Sequence, residues 1–367
     1  MQLPRKIIIA GGGTGGHIFP AIAIANAIRQ LHPETEILFV GARGKMEMEK
    51  VPQAGYTIEG LEIAGFQRDA IWKNLSLPVK LVRSLRQAGG ILDRFKPQAV
   101  VGVGGYASFP VLFLAQRKGI PTLIQEQNSY AGKANKRLAR KARKICVAYE
   151  RMEKFFPAEK IIYTGNPVRK NISSSTVTHE EALQKWGLDK SRKTVLAVGG
   201  SLGARSINEA LEKDLATFVE KGVQLIWQTG QLFYERAAAA TKGNEAFIRT
   251  EAFIQNMEYA YAAADIVISR AGAMAVSELC VVQKPVVFVP YPYAAEDHQT
   301  QNALSLVHKN AALMIKDADA KNELVSRALQ LLDDEKMQKT FIENIAPLGI
   351  LDADSRIARE ILELLPT

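Results

Sequence analysis

Short apolar runs that alternate with longer amphipathic stretches are the feature that most constrains this chain. The runs are rich in Ile and Val, and they recur at residues 6–10, 36–40, 98–104, 122–127, 144–149, 194–200, 223–229, 264–269, 285–290 and 311–315. Buried strands interleaved with helices form parallel sheets from βαβ units. The sequence therefore predicts an α/β protein with two Rossmann-like, doubly wound parallel-sheet domains that face each other across a cleft.

A polar linker divides the two sets of strands. Residues 165–169 read GNPVR, and the stretch KNISSSTVTHEE that follows is too polar to pack into a core. At 367 residues the chain has the length of two ordinary domains. We expect an N-terminal domain over 1–163 and a C-terminal domain over 164–343. Apolar residues at helical spacing near the carboxyl terminus predict a helix within 344–367 that completes the first domain.

Composition narrows the class of protein. A hydrophobic fraction of 47% is ordinary for a globular chain and argues against disorder. The start, MQLPRKIIIAGGG, lacks the apolar core of a signal peptide, and no run reaches the roughly 18 apolar residues that span a bilayer. Cys146 and Cys280 lie in apolar runs, so we expect buried free thiols in a reducing cytoplasm.

The positive charge is concentrated in the first half of the chain. Residues 1–163 hold 25 of the 47 Lys and Arg but only 12 of the 38 Asp and Glu. This excess predicts an anionic partner: nucleic acid, a membrane face or a phosphorylated substrate. Residues 133–144, KANKRLARKARK, predict one basic helical stripe that attracts anionic lipid, and residues 70–86 predict an interfacial patch. The first half lacks paired aromatic residues on its strands, so we expect no nucleic-acid partner.

The first glycine loop, GGGTGGH at 11–17, fits G-x-G-x-x-G between a strand and a helix. This pattern is typical of dinucleotide sites, which also place an acid after the second strand to bind the ribose. That position holds no acid here, although Arg43 can take the 2′-phosphate of NADP. An NADP-dependent oxidoreductase therefore stays open as an alternative function.

Two further glycine loops favour a nucleotide-sugar ligand over a dinucleotide. GVGGYAS contains Gly104, Gly105 and Tyr106, and GGSLGA contains Ser201, whose hydroxyl can cradle a phosphate together with the amides of residues 203 and 204. Three loops that can bind anions suit a nucleotide-sugar donor on one domain and a phosphorylated acceptor on the other.

Polar residues after later strands suit the rest of a nucleotide sugar. Glu278 falls in the second turn of a helix that begins at Ala273, where a carboxylate can accept both hydroxyls of a ribose. The amides in DHQTQNA, Gln299 among them, suit a hydroxyl-rich sugar because an amide both donates and accepts hydrogen bonds.

Seven motifs in order, GGGTGGH, GVGGYAS, EQN, GNPVR, GGSLGA, SRAGAMAVSE and DHQTQNA, make the chain resemble the MurG family from about residue 7 to 365. The resemblance implies a GT-B fold and inverting transfer of N-acetylglucosamine from UDP-N-acetylglucosamine. The implied acceptor is the 4-hydroxyl of the muramyl sugar of undecaprenyl-diphosphate-muramyl-pentapeptide, so that lipid I becomes lipid II. It further implies a peripheral protein on the cytoplasmic face of the bacterial inner membrane. Another UDP-sugar glycosyltransferase of the same fold is a second alternative.

The resemblance also assigns site residues. It implies donor contacts at Thr14, Gly15, Gly16, Asn128, Arg169, Ser201, Ile254, Ala273, Met274, Ala275, Val276, Ser277, Glu278 and Gln299. The loop of Gly104, Gly105 and Tyr106 is expected on the acceptor side.

An inverting displacement needs a base for the acceptor hydroxyl and stabilisation of the departing diphosphate. His17 is the expected base, and Glu126 is expected either to be the base itself or to orient His17. Two other roles stay open for His17: it can cap its helix, or it can bind a phosphate of the acceptor. The diphosphate is expected to meet Ser201, the helix amides after it and Arg169.

Two Asp-x-Asp strings, at 317–319 and 352–354, precede helical runs. Aspartates there cap helices and favour the helix dipole. We therefore expect neither a catalytic metal nor a cofactor.

Overall fold

The chain divides into two compact units. The computed structural model describes residues 5–63 and 77–366. The first unit runs to Val168 and takes up the chain again from Asp352, and the second unit is Arg169–Leu351.

A parallel sheet with helices on both faces forms the first unit. Its strands lie in the spatial order β3-β2-β1-β4-β5-β6-β7. They are β1 (Lys6–Ala10), β2 (Glu36–Ala42), β3 (Thr57–Leu61), β4 (Ala99–Gly102), β5 (Thr122–Glu126), β6 (Lys144–Val147) and β7 (Ile161–Tyr163). The helices are α1 (Gly15–Leu31), α2 (Glu47–Gln53), α3 (Leu77–Phe95), α4 (Ser108–Arg117), α5 (Lys133–Ala139) and, at the end of the chain, α16 (Ala353–Leu362).

Alternation along β1 explains the two cores of this sheet. Ile7 and Ile9 point to the face covered by α1 and α16, while Ile8 points to the face covered by α3, α4 and α5. All three isoleucines are fully buried. A strand that is apolar on both faces requires helices on both sides of the sheet, which is the doubly wound arrangement.

The second unit repeats this plan. Its parallel strands lie in the order β10-β9-β8-β11-β12-β13. They are β8 (Thr194–Val198), β9 (Gln224–Gln228), β10 (Ile248–Glu251), β11 (Ile266–Ser269), β12 (Val286–Phe288) and β13 (Leu313–Met314). The helices are α6 (Lys170–Ser173), α7 (His179–Trp186), α8 (Arg205–Lys213), α9 (Leu215–Glu220), α10 (Tyr234–Ala240), α11 (Met257–Ala263), α12 (Ala273–Val282), α13 (His298–Val307), α14 (Ala320–Asp333) and α15 (Glu335–Ile345).

The ends of the units differ from the expected boundaries of 163/164 and 343/344. Residues 164–168 stay with the first unit because Asn166 exchanges amide hydrogen bonds with Gln125 and with the Gln127 carbonyl. Residues 344–351 stay with the second unit, where the Asn344 amide donates to Asn310 O at 2.9 Å. The chain returns to the first unit only with α16.

The last helix docks on the first unit through apolar and ionic contacts. Ile357, Ala358 and Ile361 join the core beneath α1. Lys144 is at the start of β6, and its Nζ lies 2.6 Å from Glu360 Oε2 and 2.5 Å from Glu363 Oε2. These contacts account for the return of the chain after residue 351.

The basic segment 133–144 is not one helical stripe, so that expectation is wrong. Helix α5 ends at Ala139, and Lys144 belongs to β6. Lys136 lies over the rings of Tyr130 and Phe155. The exposed cations left in the segment include Arg137, Arg140 and Lys141. Part of the patch expected at 70–86, including Trp72 and Leu75, lies outside the described residues.

Truncation of the buried side chain in Ile361→Ala should loosen the first unit. A fully buried isoleucine replaced by alanine costs about 2–5 kcal/mol, through lost burial and a residual cavity. We expect faster amide hydrogen exchange in α1 and α16, measured by mass spectrometry, with the second unit unchanged. Leu31→Ala removes a comparable side chain that is 41% exposed, and serves as the control. Equal exchange in both variants would contradict the docking of α16.

The two cysteines should be inert in the folded protein. Burial raises the pKa of both Cys146 and Cys280 to about 12. At pH 8 roughly one thiol in ten thousand is then a thiolate, the form that reacts. We expect no reaction with a disulfide reagent in native buffer and two reacting thiols in guanidinium chloride. Rapid labelling of the native protein would show that one of the two sites opens.

Candidate active site

The predicted site residues lie at the carboxyl ends of the parallel strands in each unit. Both sheets have the order 3-2-1-4-5-6 for their first six strands, and ligands bind where such an order reverses. In the first unit this switch point lies between β1 and β4, which lead into the loops of His17 and Gly104. In the second it lies between β8 and β11, which lead into the loops of Ser201 and Ala273.

The two glycine loops of the first unit interlock. The Gly12 amide donates to Gly104 O at 3.3 Å. Gly104 and Gly105 have φ values of +89° and +83°, a region that glycine tolerates best. A Cβ on Gly105 would overlap Gly12 O, and one on Gly104 would lie 2.8 Å from His17 Cε1. Glycine is therefore required here so that one backbone and one imidazole can approach closely.

A buried carboxylate, Glu47, holds the first loop. It accepts the amide of Gly13 at 2.9 Å and that of Ala42 at 3.0 Å. The Gly13 amide is therefore committed to Glu47 and is not available to the pyrophosphate of a dinucleotide. Arg43, expected on the 2′-phosphate in the oxidoreductase alternative, instead pairs with Glu62 at 2.9 Å. Neither feature favours a dinucleotide. Sequence reasoning missed Glu47, which lies in a polar stretch after β2.

The start of α1 carries the other expected residues of this loop. Thr14 is the N-cap by position, but its side chain makes no capping bond. Gly15, Gly16 and His17 form the first turn and are half-buried. On the neighbouring loop, Tyr106 is 53% exposed. These residues offer a helix N-terminus and an imidazole at one edge of the sheet.

The hydrogen bonds of Glu126 go to the loop that follows it and not to His17. Its carboxylate is buried and binds the loop that follows, accepting from the amides of Asn128 at 3.1 Å and Gly132 at 3.0 Å, and from Asn135 Nδ2 at 2.8 Å. The side chain that faces His17 is Gln127, whose Oε1 lies 3.2 Å from His17 Nδ1. Both residues belong to the EQN motif, and sequence reasoning missed Gln127.

In the second unit a charged cluster joins Arg169 to α12. Arg169 Nε donates to Glu278 Oε1 at 3.0 Å, and the Tyr261 hydroxyl donates to Glu278 Oε2 at 3.1 Å. Burial, followed by the nearby charge of Glu278, raises the pKa of Tyr261 well above its usual value. The tyrosine therefore remains a donor. Each oxygen of Glu278 keeps a further lone pair for a ligand hydroxyl. Sequence reasoning missed Tyr261.

The Ser201 loop is tied to Ile254 by a glutamine. Gln228 Nε2 donates to Gly200 O at 3.0 Å, and its Oε1 accepts the amide of Ile254 at 2.9 Å. Ser201 itself is exposed. The amide of Gly203 donates to Gly200 O and closes the turn, so it is not aimed at a phosphate as expected. The groups of this loop that can donate hydrogen bonds to an anion are therefore the Ser201 hydroxyl and the amides at the start of α8.

The remaining residues predicted to contact the sugar donor lie on the first turns of α12 and α13. Ala273, Met274, Ala275 and Ser277 are half-buried, whereas Val276 faces the core. Gln299 Oε1 accepts the amide of Tyr291 at 2.9 Å, which fixes this side chain against the loop after β12.

The Asp-x-Asp strings do not cap helices through their side chains, contrary to expectation. Asp317 pairs with the largely buried Arg270 at 2.5 Å, and Asp352 pairs with Arg356 at 2.8 Å. Asp319 and Asp352 occupy N-cap positions without side-chain capping bonds. Across residues 5–63 and 77–366 there is no group of three or more His, Cys, Asp or Glu that can hold a metal ion.

Comparison with known proteins identifies the family. Residues 7–147 match the glycosyltransferase family 28 N-terminal domain, and residues 194–354 match the family 28 C-terminal domain. A protein of Phocaeicola vulgatus named UDP-N-acetylglucosamine--N-acetylmuramyl-(pentapeptide) pyrophosphoryl-undecaprenol N-acetylglucosamine transferase is 55% identical, over 99% of this chain and 97% of its own length. A protein of the same name from Cytophaga hutchinsonii is 51% identical, over 100% and 98%.

Solved structures agree with this result. The crystal structure of Acinetobacter baumannii MurG aligns with a TM-score of 0.79 and 28% identity, over 98% of this chain and 100% of that one. A kitacinnamycin glycotransferase, 14% identical, shares the fold with a TM-score of 0.73, over 99% and 100%. The expected GT-B fold is thus confirmed. The chain belongs to glycosyltransferase family 28 and, within it, to the MurG family of N-acetylglucosaminyltransferases.

Proposed function

We propose that the protein transfers N-acetylglucosamine from UDP-N-acetylglucosamine to the 4-hydroxyl of the muramyl sugar of undecaprenyl-diphosphate-muramyl-pentapeptide, which converts lipid I to lipid II in peptidoglycan synthesis. The observation that carries this proposal is the near-complete alignment with relatives that bear the name of this reaction. The oxidoreductase alternative has no support among the relatives.

The second unit supplies the chemistry for the donor. Glu278, oriented by Arg169 and Tyr261, can accept the ribose hydroxyls. The amide of Ile254 is committed to Gln228, so its carbonyl is the backbone group that can accept an N–H of the base. Ser201 and the amino-terminal end of α12 provide a hydroxyl and a positive dipole end for the diphosphate.

The reaction inverts the anomeric carbon by one in-line displacement. The acceptor oxygen O4 attacks C1 of the α-linked sugar, the C1–O bond to the diphosphate breaks, and UDP leaves. His17 accepts the proton of the hydroxyl, while Ser201, Arg169 and the α12 dipole stabilise the charge that develops on UDP. We propose that no metal ion or cofactor takes part, because these donors stabilise the diphosphate charge themselves.

Loss of the Glu278 charge tests the donor site. Glu278→Gln leaves Arg169 without its counter-ion and replaces a charged acceptor of the ribose hydroxyls. A hydrogen bond to a charged group contributes about 1.5–3 kcal/mol, so we expect kcat/KM for UDP-N-acetylglucosamine to fall by about 10- to 100-fold. Sugar transfer to a lipid-diphosphate muramyl-pentapeptide is the assay.

Three controls make this assay specific. Glu251→Gln changes an exposed carboxylate of the same unit and should leave the rate unchanged. UDP-glucose should transfer poorly. Chelation with EDTA should not lower the rate; abolished transfer that a divalent ion restores would contradict the mechanism without a metal. Full activity of Glu278→Gln would contradict the role of Glu278.

We further propose that the first unit binds an anionic membrane surface, on the cytoplasmic face of the inner membrane, with the face built by α3, α4 and α5. These helices pack against the same side of the sheet. Val79 and Val82 on α3 are 54% and 50% exposed. Beyond the end of α4, Lys141, Arg143 and Lys160 line an open pocket of about 500 Å³ that suits an anionic headgroup. Among the described residues no helix is both long and apolar enough to cross a bilayer.

Charge reversal on this face should weaken membrane binding. We expect the triple variant Arg137→Glu, Arg140→Glu, Lys141→Glu to bind vesicles of anionic lipid about 100-fold more weakly at low salt, since each cation contributes about 1 kcal/mol. Lys136 is left in place because it contacts two aromatic rings. Reversal of Lys321, Arg327 and Lys339 in the second unit changes net charge equally and is the control. An equal loss of vesicle binding in both triple variants would show that net charge, and not this face of the first unit, causes the effect.

A further inference from the structure

A chain of buried amides leads away from His17 inside the first unit. Gln125, Gln127 and Asn166 are 0%, 1% and 3% exposed. Gln127 Nε2 donates to Val103 O at 2.7 Å and to Gln125 Oε1. Gln125 Nε2 donates to Asn166 Oδ1 at 2.9 Å, and Asn166 Nδ2 donates to Gln127 O at 2.9 Å. The three side chains thus connect the EQN and GNPVR motifs.

Two backbone carbonyls allow this chain only one orientation. A carbonyl can accept but not donate, so the amide atom of Gln127 that meets Val103 O must be nitrogen. For the same reason the atom of Asn166 that meets Gln127 O must be nitrogen. Asn166 then presents oxygen to Gln125, and Gln125 presents oxygen to Gln127. Reversal of any one amide would place two donors or two acceptors against each other in a buried site, at considerable cost.

This orientation determines which atom of Gln127 faces His17. With its nitrogen committed to Val103 and Gln125, Gln127 presents Oε1 to His17 Nδ1 at 3.2 Å. An amide oxygen only accepts, so Nδ1 must carry the proton. A neutral imidazole has a single N–H, so its lone pair is then on Nε2.

We infer that Gln127 is a positioning residue that holds neutral His17 in the Nδ1–H tautomer and thereby makes Nε2 the atom that takes a proton. The catalytic part of this inference rests on the proposed function, in which His17 is the base. Gln127 acts through His17. Its own orientation is imposed from the opposite side by Val103, Gln125 and Asn166.

The choice of an amide over a carboxylate has a chemical consequence. Once Nε2 takes the acceptor proton, the bond from Nδ1–H to Gln127 becomes charge-assisted and strengthens. A carboxylate at this place would stabilise the imidazolium before the reaction and raise the pKa of His17. A base that is already protonated cannot accept the hydroxyl proton. The neutral partner therefore orients the ring without stabilising the imidazolium before the reaction.

Nitrogen-15 NMR of the full-length protein labelled in its histidine rings tests the tautomer directly. The chain has five histidines, and the signals of His17 are those lost in His17→Gln. We expect a protonated Nδ1 and an unprotonated Nε2 in the wild type. A wild-type spectrum with the proton on Nε2 would overturn the inference. This measurement requires neither a variant of Gln127 nor enzymatic activity.

Variants of Gln127 then test the positioning role. Gln127→Leu should shift His17 toward a mixture of tautomers and lower kcat by at least about 10-fold, with KM for UDP-N-acetylglucosamine changed less than about threefold. Gln127→Glu should move the acidic limb of the pH–rate profile to higher pH, because a carboxylate raises the pKa of the base. An unchanged tautomer and an unchanged profile in these variants would overturn the inference.

Two further variants separate positioning from general damage to the fold. Asn166→Leu removes the hydrogen bonds to the Gln125 side chain and to the Gln127 backbone carbonyl, and leaves the Gln127 side chain in place. It should reproduce part of the tautomer shift if orientation is transmitted along the chain of amides. Gln116→Leu is the matched control, since Gln116 also donates to a backbone carbonyl, Leu138 O, but lies away from His17. The same NMR shift in Gln116→Leu would overturn the inference. A wild-type Nδ1–H tautomer without any sugar transfer would overturn the proposed function and leave the tautomer assignment standing.

Discussion

Close backbone contact between loops of neighbouring strands is the constraint on which both halves of this molecule depend. In the first unit, Gly105 lies against Gly12 O, and in the second, Gly203 lies against Thr229 O. Each glycine has positive φ, and a Cβ at either position would overlap the facing oxygen. The approach brings the ends of adjacent strands together at the carboxyl edge of each sheet, where α/β proteins bind ligands.

Buried carboxylates then order the loops that these contacts bring together. Glu47 holds the first glycine loop, Glu126 holds the loop after β5, and Glu278 joins α12 to Arg169 and Tyr261. Glu47 and Glu126 accept hydrogen bonds from backbone amides, so these two carboxylates stabilise the conformation of the loops. Glu278 instead binds side chains and keeps acceptor capacity for a ligand. Burial alone therefore does not separate structural from functional carboxylates; the partners of each oxygen do.

The amide that orients His17 contrasts with the charged partner of Glu278. The donor site of the second unit combines a guanidinium, a carboxylate and a phenol. The base of the first unit is oriented by the amide oxygen of Gln127, whose nitrogen is bound to the Val103 carbonyl. The difference suits the tasks proposed for them, since a diphosphate needs charge stabilisation and a base must remain unprotonated.

Most strands and the seven motifs were predictable from the sequence, because doubly buried strands are continuous apolar runs and tight loops require glycine. The strands β3, β7 and β10 were missed because they are short edge strands: the segments TIEGL and IRTE are less apolar, and IIY has only three residues. The division after Val168 and the return at Asp352 depend on side-chain contacts between distant segments. The sequence by itself determined the fold class and the family, and it indicated some of the polar residues at the strand ends, such as Glu278 and Gln299. Only the tertiary structure decided that Gln127, and not Glu126, faces His17, because that choice depends on hydrogen bonds from residues up to 110 positions apart in the chain.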